Sequence, residues 1–446
     1  MASAQEGATP SETPATSYWG PIASPSDSVT SQFANRPTPL WEKTLLAPYY
    51  IVRAPFSLIN AGAREAITYM DETGAVKKVQ KLLGPQQGPF GLMLNVTSGS
   101  LTGLGGGITA YHDAFFSPKN RFRLGLQSSQ NGHHRATTGV TIPVSARDDL
   151  EFGAGYRMRP NTRFFGIGPD TDASDESFVR NETSWFGTSF KHRIAGHAFV
   201  EAGALYSLVG TRGPRSKDDP TIDEQFAGRL PAGHRERSDG VTLSLALIHD
   251  DTKETGRPES GGVRTLKAGH FKSTDGSEVA FWNYRGEFQQ FIPLWHTKRA
   301  FALRGFASWL ENTGDDEIPF QRLMTNDDPD LLRGYKDTRW TDRGMIAFSS
   351  EYRWPVWNEK FIDRAGLDMY VLADVGQVFG DADEISRRNM TDSWGLGLRL
   401  IGNKGFVGRI EYATSNEESV LRVRADQVFQ FAKNGIYHGR NPIPVR

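Results

Sequence analysis

Residues 281–292 read Phe-Trp-Asn-Tyr-Arg-Gly-Glu-Phe-Gln-Gln-Phe-Ile. Trp282, Tyr284, Gly286, Phe288 and Ile292 share one parity, and Asn283, Arg285, Glu287 and Gln289 the other. Side chains of an extended chain alternate between faces, so this stretch predicts a strand with one apolar and one charged face. The alternation recurs on either side of it. Phe152, Ala154, Tyr156 and Met158 oppose Glu151, Gly153, Gly155 and Arg157. Val241, Leu243, Leu245 and Leu247 oppose Thr242, Ser244 and Ala246. Trp394, Leu396, Leu398 and Leu400 oppose Ser393, Gly395, Gly397 and Arg399, and Leu421, Val423 and Ala425 oppose Arg422, Arg424 and Asp426. A charged face opposite an apolar one, repeated this often, needs two environments. Lipid outside and a wet lumen inside supply both.

Sixteen such runs can be marked, at 90–98, 103–116, 119–131, 134–146, 147–160, 176–194, 195–212, 237–253, 261–274, 277–293, 297–312, 342–356, 367–380, 391–403, 405–417 and 420–431. Their connections tend to alternate. Pro118-Lys119-Asn120, Ile194-Ala195-Gly196 and Gly402-Asn403-Lys404 are tight, whereas 161–177, 211–238, 313–341 and 381–391 are long. Short periplasmic turns and long outer loops are typical of outer-membrane barrels, and an even count returns both ends of the barrel to one side. The expected fold class is all-β: a sixteen-stranded antiparallel transmembrane β-barrel with a short N-terminal helical segment. A soluble β-sandwich or soluble barrel would alternate too, with its faces reversed, and the sequence alone does not say which face is inside. Runs of ten or more residues are long for soluble strands. Aromatic residues also gather near strand ends, at Phe115-Phe116, Phe164-Phe165, Trp354 with Trp357, and Phe429 with Phe431, as an interfacial belt would have them.

Composition agrees once the barrel is considered. The chain has 446 residues, 51 basic and 52 acidic, for a formal net charge of −1. That balance gives no electrostatic reason to expect nucleic acid as a partner. Hydrophobic residues are 38% of the chain, and mean hydropathy is −0.48. No stretch approaches the length of a membrane helix. Strands that cross a membrane need apolar residues only at alternate positions, so low hydropathy does not count against them. There is no cysteine, which excludes disulfides and thiolate zinc sites.

Residues 1–40, rich in Pro, Ser, Thr and Ala, are expected to be disordered. Residues 41–89 form a helical segment in expectation. Leu58, Ile59, Ala63, Ala66, Ile67 and Met70 fall at spacings of three and four, Val76, Val79, Leu82 and Leu83 continue the stripe, and Gly84-Pro85 ends it. With Lys77, Lys78 and Lys81 it reads either as a periplasmic surface helix or as a lumen plug, the plug being preferred. The barrel is assigned to 90–431 and a polar tail to 432–446. The chain opens Met1-Ala2-Ser3-Ala4-Gln5 without a basic and then apolar leader. An exported protein needs such a leader, so Met1 reads as standing in place of a removed one, with Ala2-Ser3-Ala4 near the cleavage point; a cytosolic protein that needs no leader is the alternative.

Residues 332–335 read Leu-Arg-Gly-Tyr, in a polar loop between two alternating runs. The run from Asp342 to Trp357 carries Glu351 on the same face as Met345, Ala347, Ser349 and Arg353. Residues 366–376 then read Gly-Leu-Asp-Met-Tyr-Val-Leu-Ala-Asp-Val-Gly. Earlier stretches add to this: Asn161-Thr162-Arg163-Phe164-Phe165-Gly166-Ile167-Gly168, and His249-Asp250-Asp251-Thr252 followed by Arg257-Pro258 and Gly261-Gly262. This order of parts resembles the bacterial surface-antigen superfamily of outer-membrane barrels, which includes the barrel-assembly-machinery subunit and the two-partner-secretion translocase. The resemblance is densest in the last hundred or so residues of the barrel region. It implies that Arg333, Gly334 and Tyr335 form a motif on a loop that enters the lumen. It implies that Glu351 and Asp374 are the carboxylates that hold the arginine, and that Asp250, Pro258 and Gly261 belong to a periplasmic turn. The chemistry is reasonable, because a guanidinium in a narrow lumen needs carboxylates for bidentate hydrogen bonds.

Two departures from the family stand out. Residues 1–89 are too short, and too poor in strand pattern, for the family's periplasmic polypeptide-transport-associated domains. A polar tail, 432–446, follows Phe429 and Phe431, where family barrels usually end on an aromatic residue.

No zinc-protease, phosphate-loop or nucleophile-elbow pattern occurs, and neither enzyme activity nor a cofactor is expected. Gly105-Gly106-Gly107 lies in a strand run and reads as backbone packing. His133-His134 and the acidic stretches 218–219, 315–317 and 327–330 read as solvated loops rather than metal sites. Expected partners are outer-membrane lipids and a polypeptide or lipid substrate, in the outer membrane of a Gram-negative bacterium. The functional expectation is transport or insertion of protein or lipid across or into that membrane. A plugged structural or lipid-contacting barrel without transport is the alternative.

Overall fold

The computed structural model describes residues 89–99, 103–216, 218–252, 260–294, 299–326, 331–358, 366–401 and 407–424. The N-terminal helical stripe, Pro258, Phe429, Phe431 and the polar tail lie outside the described residues.

The strands are β1 (Phe90–Gly99), β2 (Gly103–His112), β3 (Arg121–Ser129), β4 (His134–Pro143), β5 (Asp148–Phe164) and β6 (Ser177–Ala195). They continue with β7 (Ala198–Arg212), β8 (Arg237–Asp250), β9 (Gly261–Ser273), β10 (Ala280–Pro293), β11 (Ala300–Asn312) and the short β12 (Met324–Thr325) and β13 (Thr341–Asp342). The last five are β14 (Gly344–Asn358), β15 (Gly366–Phe379), β16 (Thr391–Ile401), β17 (Val407–Thr414) and β18 (Ser419–Arg424). All but β12 and β13 form one closed antiparallel barrel, each strand hydrogen-bonded to its neighbours in the chain, so the barrel has sixteen strands. Closure joins β1 to β18 through the registered pair Ser98↔Val423. β12 and β13 make a separate two-residue ladder within the β11–β14 connection.

Alternation and burial agree on which face is inside. Leu243, Leu245 and Leu247 of β8 are 61%, 56% and 51% exposed, and Trp394 and Leu396 of β16 and Leu421 of β18 point outward in the same way. Between them, Ala246, Ser393, Arg399 and Arg422 are buried. Apolar residues outside and charged residues inside are the reverse of a soluble protein. This is the arrangement of a barrel whose solvent is lipid.

Strand ends differ from the expected ones in a few places. β2 stops at His112 because 113–116 turn back, with Asp113 paired to Arg123 at 2.6 Å and Phe115 stacked on Phe122 at 4.8 Å. β14 begins at Gly344 rather than 342, since Thr341 and Asp342 pair with β12 instead. The aromatic belt holds only in part. Phe116 is 94% exposed, but Phe164 and Phe165 are buried. Phe164 packs edge-on against Phe226 and Phe320, and Phe165 lies under the Arg339 guanidinium. Their apolar surface is spent on the loop core, not on the membrane interface.

That core sits where the long loops meet the strand ends. Phe164, Ile222, Phe271, Phe320, Leu331 and Trp340 belong to one buried cluster drawn from 165–236 and 313–343 and from the strands beneath them. The loop following β11 is therefore not a solvated arc. Its apolar residues fold it inward.

Candidate functional site

The loop from 313 to 343 carries Arg333, and the burial of its neighbours explains how it is held. Leu331, Leu332 and Tyr335 are at most 1% exposed. Leu332 adopts φ of 59°, a costly conformation for a branched residue, which the surrounding packing imposes. Gly334 has no room for a side chain, because a Cβ there would lie 2.6 Å from Ser393 Cβ and 2.7 Å from the Thr414 carbonyl oxygen.

Arg333 is fully buried, and all five of its side-chain N–H groups have acceptors. Nε donates to Asp374 Oδ2 at 2.9 Å, and Nη2 donates to Asp374 Oδ1 and Ser349 Oγ, both at 2.8 Å. Nη1 donates to Glu351 Oε1 at 2.5 Å and to Glu411 Oε1 at 2.9 Å. The backbone N–H of Arg333 adds a further bond to Asp374 Oδ2 at 3.0 Å. The two residues that sequence pairs with Arg333, Glu351 and Asp374, are thus both brought to it. Sequence reasoning missed the third carboxylate, Glu411 of β17. The signal was available, since Glu411 alternates with the outward Ile410 and Tyr412.

Each carboxylate has further partners. Arg353 pairs with Glu351 at 2.7 Å, Arg409 pairs with Glu411, and Tyr370 Oη donates to Glu411 at 2.9 Å. Ser349 Oγ donates to Asp374 at 2.6 Å. Three guanidinium groups (Arg333, Arg353, Arg409) thus face three carboxylates, all six residues buried, so their charges balance. Burying charges is tolerable only under such full pairing.

The rest of the loop is held on both sides of the lumen. Tyr335 Oη donates to Asn416 Oδ1 at 2.7 Å, and Ser415 Oγ donates to the Gly334 carbonyl at 3.0 Å. Arg422 of β18 donates to the carbonyls of Arg333 and Tyr335, both at 2.7 Å. Arg339 pairs with Glu417 at 2.8 Å and donates to Thr171 Oγ1 at 2.8 Å, while its guanidinium lies 3.9 Å from the Trp340 ring centre. At the other end Arg322 donates from Nε to Ser238 Oγ at 2.7 Å and from Nη1 to Ser207 Oγ at 3.1 Å, over the Phe271 ring. Ser207 and Ser238 belong to β7 and β8, so the loop spans from that wall to β14–β18. The 161–168 stretch serves as a contact for it. Thr338 Oγ1 donates to the Arg163 carbonyl at 2.7 Å, and the Gly168 N–H to the Thr341 carbonyl at 2.9 Å.

Asp342, at the loop's return, has its carboxyl pushed up to about 6. Burial is the main cause, and Glu384 and Asp381 add to it, against the Arg343 backbone N–H and guanidinium, which pull the other way. Among the described residues no cluster of three or more His, Asp or Glu is placed to hold a metal.

The turn residues Asp250 and Gly261 lie at the opposite strand ends and do not approach Arg333. Asp250 Oδ1 accepts from the Thr252 N–H at 3.0 Å, and Asp251 Oδ1 accepts from the Gly262 N–H at 2.7 Å. Gly261 has φ of +84°, and a Cβ on it would lie 2.3 Å from the Asp251 carbonyl oxygen, so this turn requires glycine.

The family model described as the Omp85 superfamily domain matches residues 114–432. No curated protein matches in sequence. Among solved structures, BamA from Haemophilus ducreyi lacking POTRA domains 1–3 aligns at 14% identity with a TM-score of 0.55, covering 76% of this chain and 69% of that one. CdiB from Escherichia coli aligns at 11% identity with a TM-score of 0.51, covering 77% of this chain and 62% of that one. The alignment thus takes in less than two thirds of the CdiB chain. At such identities the likeness is one of fold.

Proposed function

Because the chain belongs to the Omp85 superfamily, whose barrels reside in outer membranes and are typically non-enzymatic transporters or insertases, we propose that it moves or inserts protein or lipid at the outer membrane of a Gram-negative bacterium. The loop bearing Arg333, Gly334 and Tyr335 acts as a lock. Held by Glu351, Asp374 and Glu411, it keeps the barrel shut, and release of the lock lets the seam between β1 and β18 part. The observation that carries the reading is the fully satisfied, buried Arg333. A guanidinium with that many partners on three strands fixes one loop position and leaves the alternatives unpaired. Outer-membrane lipids are the constant partner of the exposed Leu, Phe and Trp wall.

A second reading, a plugged structural or lipid-contacting barrel without transport, is favoured by the apolar core at the loop end. Vesicles separate the two. The protein is reconstituted, and insertion of an unfolded barrel client and exchange of labelled lipid between leaflets are followed beside Arg333→Lys. Activity in either assay that changes with the variant supports the lock. No activity in both, with native heat-modifiable migration on gels, refutes transport and leaves the structural reading. Bilayer conductance with and without residues 1–89 tests whether the N-terminal segment acts as the plug.

A further inference from the structure

The last barrel hairpin grips the loop more extensively than the two strands that carry Glu351 and Asp374. Glu411, Ser415, Asn416, Glu417 and Arg422 all contact residues 333–339. Arg422 differs from the others because it meets the backbone of the motif. Its Nη1 donates to the Arg333 carbonyl, and Nη2 donates to the Tyr335 carbonyl and to Asp337 Oδ1 at 2.9 Å. It is buried on the inner face of β18, between the outward Leu421 and Val423. Val423, its immediate neighbour, is the residue registered with Ser98 across the closing pair of strands. Glu411 stands beside Arg422 in the β17–β18 ladder, so the carboxylate that takes Arg333 and the guanidinium that takes the motif backbone are cross-strand neighbours.

We propose that Arg422 is a positioning residue that couples the loop to the barrel seam, holding β18 in register with β1 only while the Arg333–Tyr335 backbone is seated against it. The inference rests on the lock reading. It adds the route by which loop position reaches the seam. The Arg333 and Tyr335 carbonyls, on either side of Gly334, present two acceptors that the two ends of a rigid planar fork meet together, a geometry that a flexible ammonium does not fix. When the loop leaves, Arg422 loses the acceptors supplied by Arg333, Tyr335 and Asp337 in a wall where such groups are costly to leave unmade. The strand that bears it is the one with a closing edge to give up. Neither Glu351 nor Asp374, on β14 and β15, touches that edge.

The chain has no cysteine, so a reporter pair is clean. Ser98→Cys and Val423→Cys are introduced together, and the initial rate of oxidative cross-linking is measured in vesicles. Directly paired strand residues lie within the Cα separation that a disulfide spans. Arg422→Gln is expected to slow cross-linking roughly tenfold, the scale of one lost charge-assisted hydrogen bond, with native heat-modifiable migration retained. Arg333→Lys slows it too, and the double variant is no slower than the slower single. A parent rate for Arg422→Gln beside a slowed Arg333→Lys overturns the coupling and leaves the lock standing. A parent rate for Arg333→Lys removes the lock itself. Additive slowing in the double variant means that Arg422 merely supports the wall, and overturns the proposal. Where Arg422→Gln does not fold, Asp337→Asn takes its place. It should slow cross-linking in the same direction by a smaller factor, and a parent rate there counts against the coupling.

Discussion

Replacing Arg333 by Ala should cost the barrel about 3–5 kcal/mol, the usual penalty for removing one member of a buried ionic group. The reasoning is specific to this cluster. With Arg333 gone, Glu351, Asp374 and Glu411 remain against Arg353 and Arg409, so one buried negative charge lacks compensation. Asp374 suffers most, since its two oxygens take three bonds from Arg333 and only one from Ser349. One of those three comes from the backbone N–H, which Ala keeps, so the loss falls on the two side-chain bonds of the fork. Arg333→Lys keeps the charge but loses the fork to Asp374, and should fall between, at about 1.5–3 kcal/mol. Urea unfolding in micelles, followed by intrinsic Trp fluorescence and by gel mobility, measures both. The penalty should persist at high salt, because buried pairs are little screened. A loss below about 1 kcal/mol for Arg333→Ala, or equal losses for Ala and Lys, would refute the argument that charge and fork geometry hold the loop.

Four further outcomes follow from the same geometry. Gly334→Ala, with its Cβ forced to 2.6 Å from Ser393 Cβ, should cost about 1–3 kcal/mol and raise protease cleavage within 331–340; unchanged cleavage would mean that the crowding relaxes freely. Arg322→Ala removes the anchor on Ser207 and Ser238 and should expose 313–326 to protease while sparing the Arg333 end, which limited digestion and mass spectrometry resolve. Leu396→Arg, on the outward face of β16, should destabilise by roughly 2–4 kcal/mol in bilayers if that residue lies near mid-depth, and a neutral result would contradict the assignment of faces. Asp342 has a folded carboxyl value of about 6, above its usual 3.8, so the folded state binds the extra proton and stability falls as pH rises from about 4 to 6. The span is worth about 3 kcal/mol at most, and Asp342→Asn should flatten that part of the stability profile.

The alternation was legible because the barrel makes every strand obey one rule. Phe281–Ile292 shows Trp282, Tyr284, Phe288 and Ile292 outside and Gln289 buried, as its parity requires. The loop was legible only through its motif. Leu331, Leu332, Phe320 and Trp340 are scattered among polar residues, with no period to reveal that they pack into one core. Phe164 and Phe165 were misleading for the same reason. An aromatic pair at a strand end is the same sequence whether it meets lipid headgroups or folds under an arginine, and only the long-range contact with Arg339 and Phe320 decides. Glu411 could have been found by parity. That it shares Arg333 with Glu351 could not, because register across four strands brings them together.

The site also explains why a loop with so many charges can be buried. Arg322, Arg333 and Arg339 are all nearly inaccessible, yet each meets acceptors fixed by strands or turns rather than by the loop itself. For these three arginines the loop brings the donors and the barrel and its turns bring the acceptors, whereas Arg422 and Ser415 reverse the roles at the loop backbone. Arg322 docks on β7 and β8, and Arg333 docks on β14, β15 and β17. The two attachments therefore lie on different walls of the barrel. A loop anchored on two walls is what the proposed lock requires, and the anchors follow from where the arginines fall in the chain.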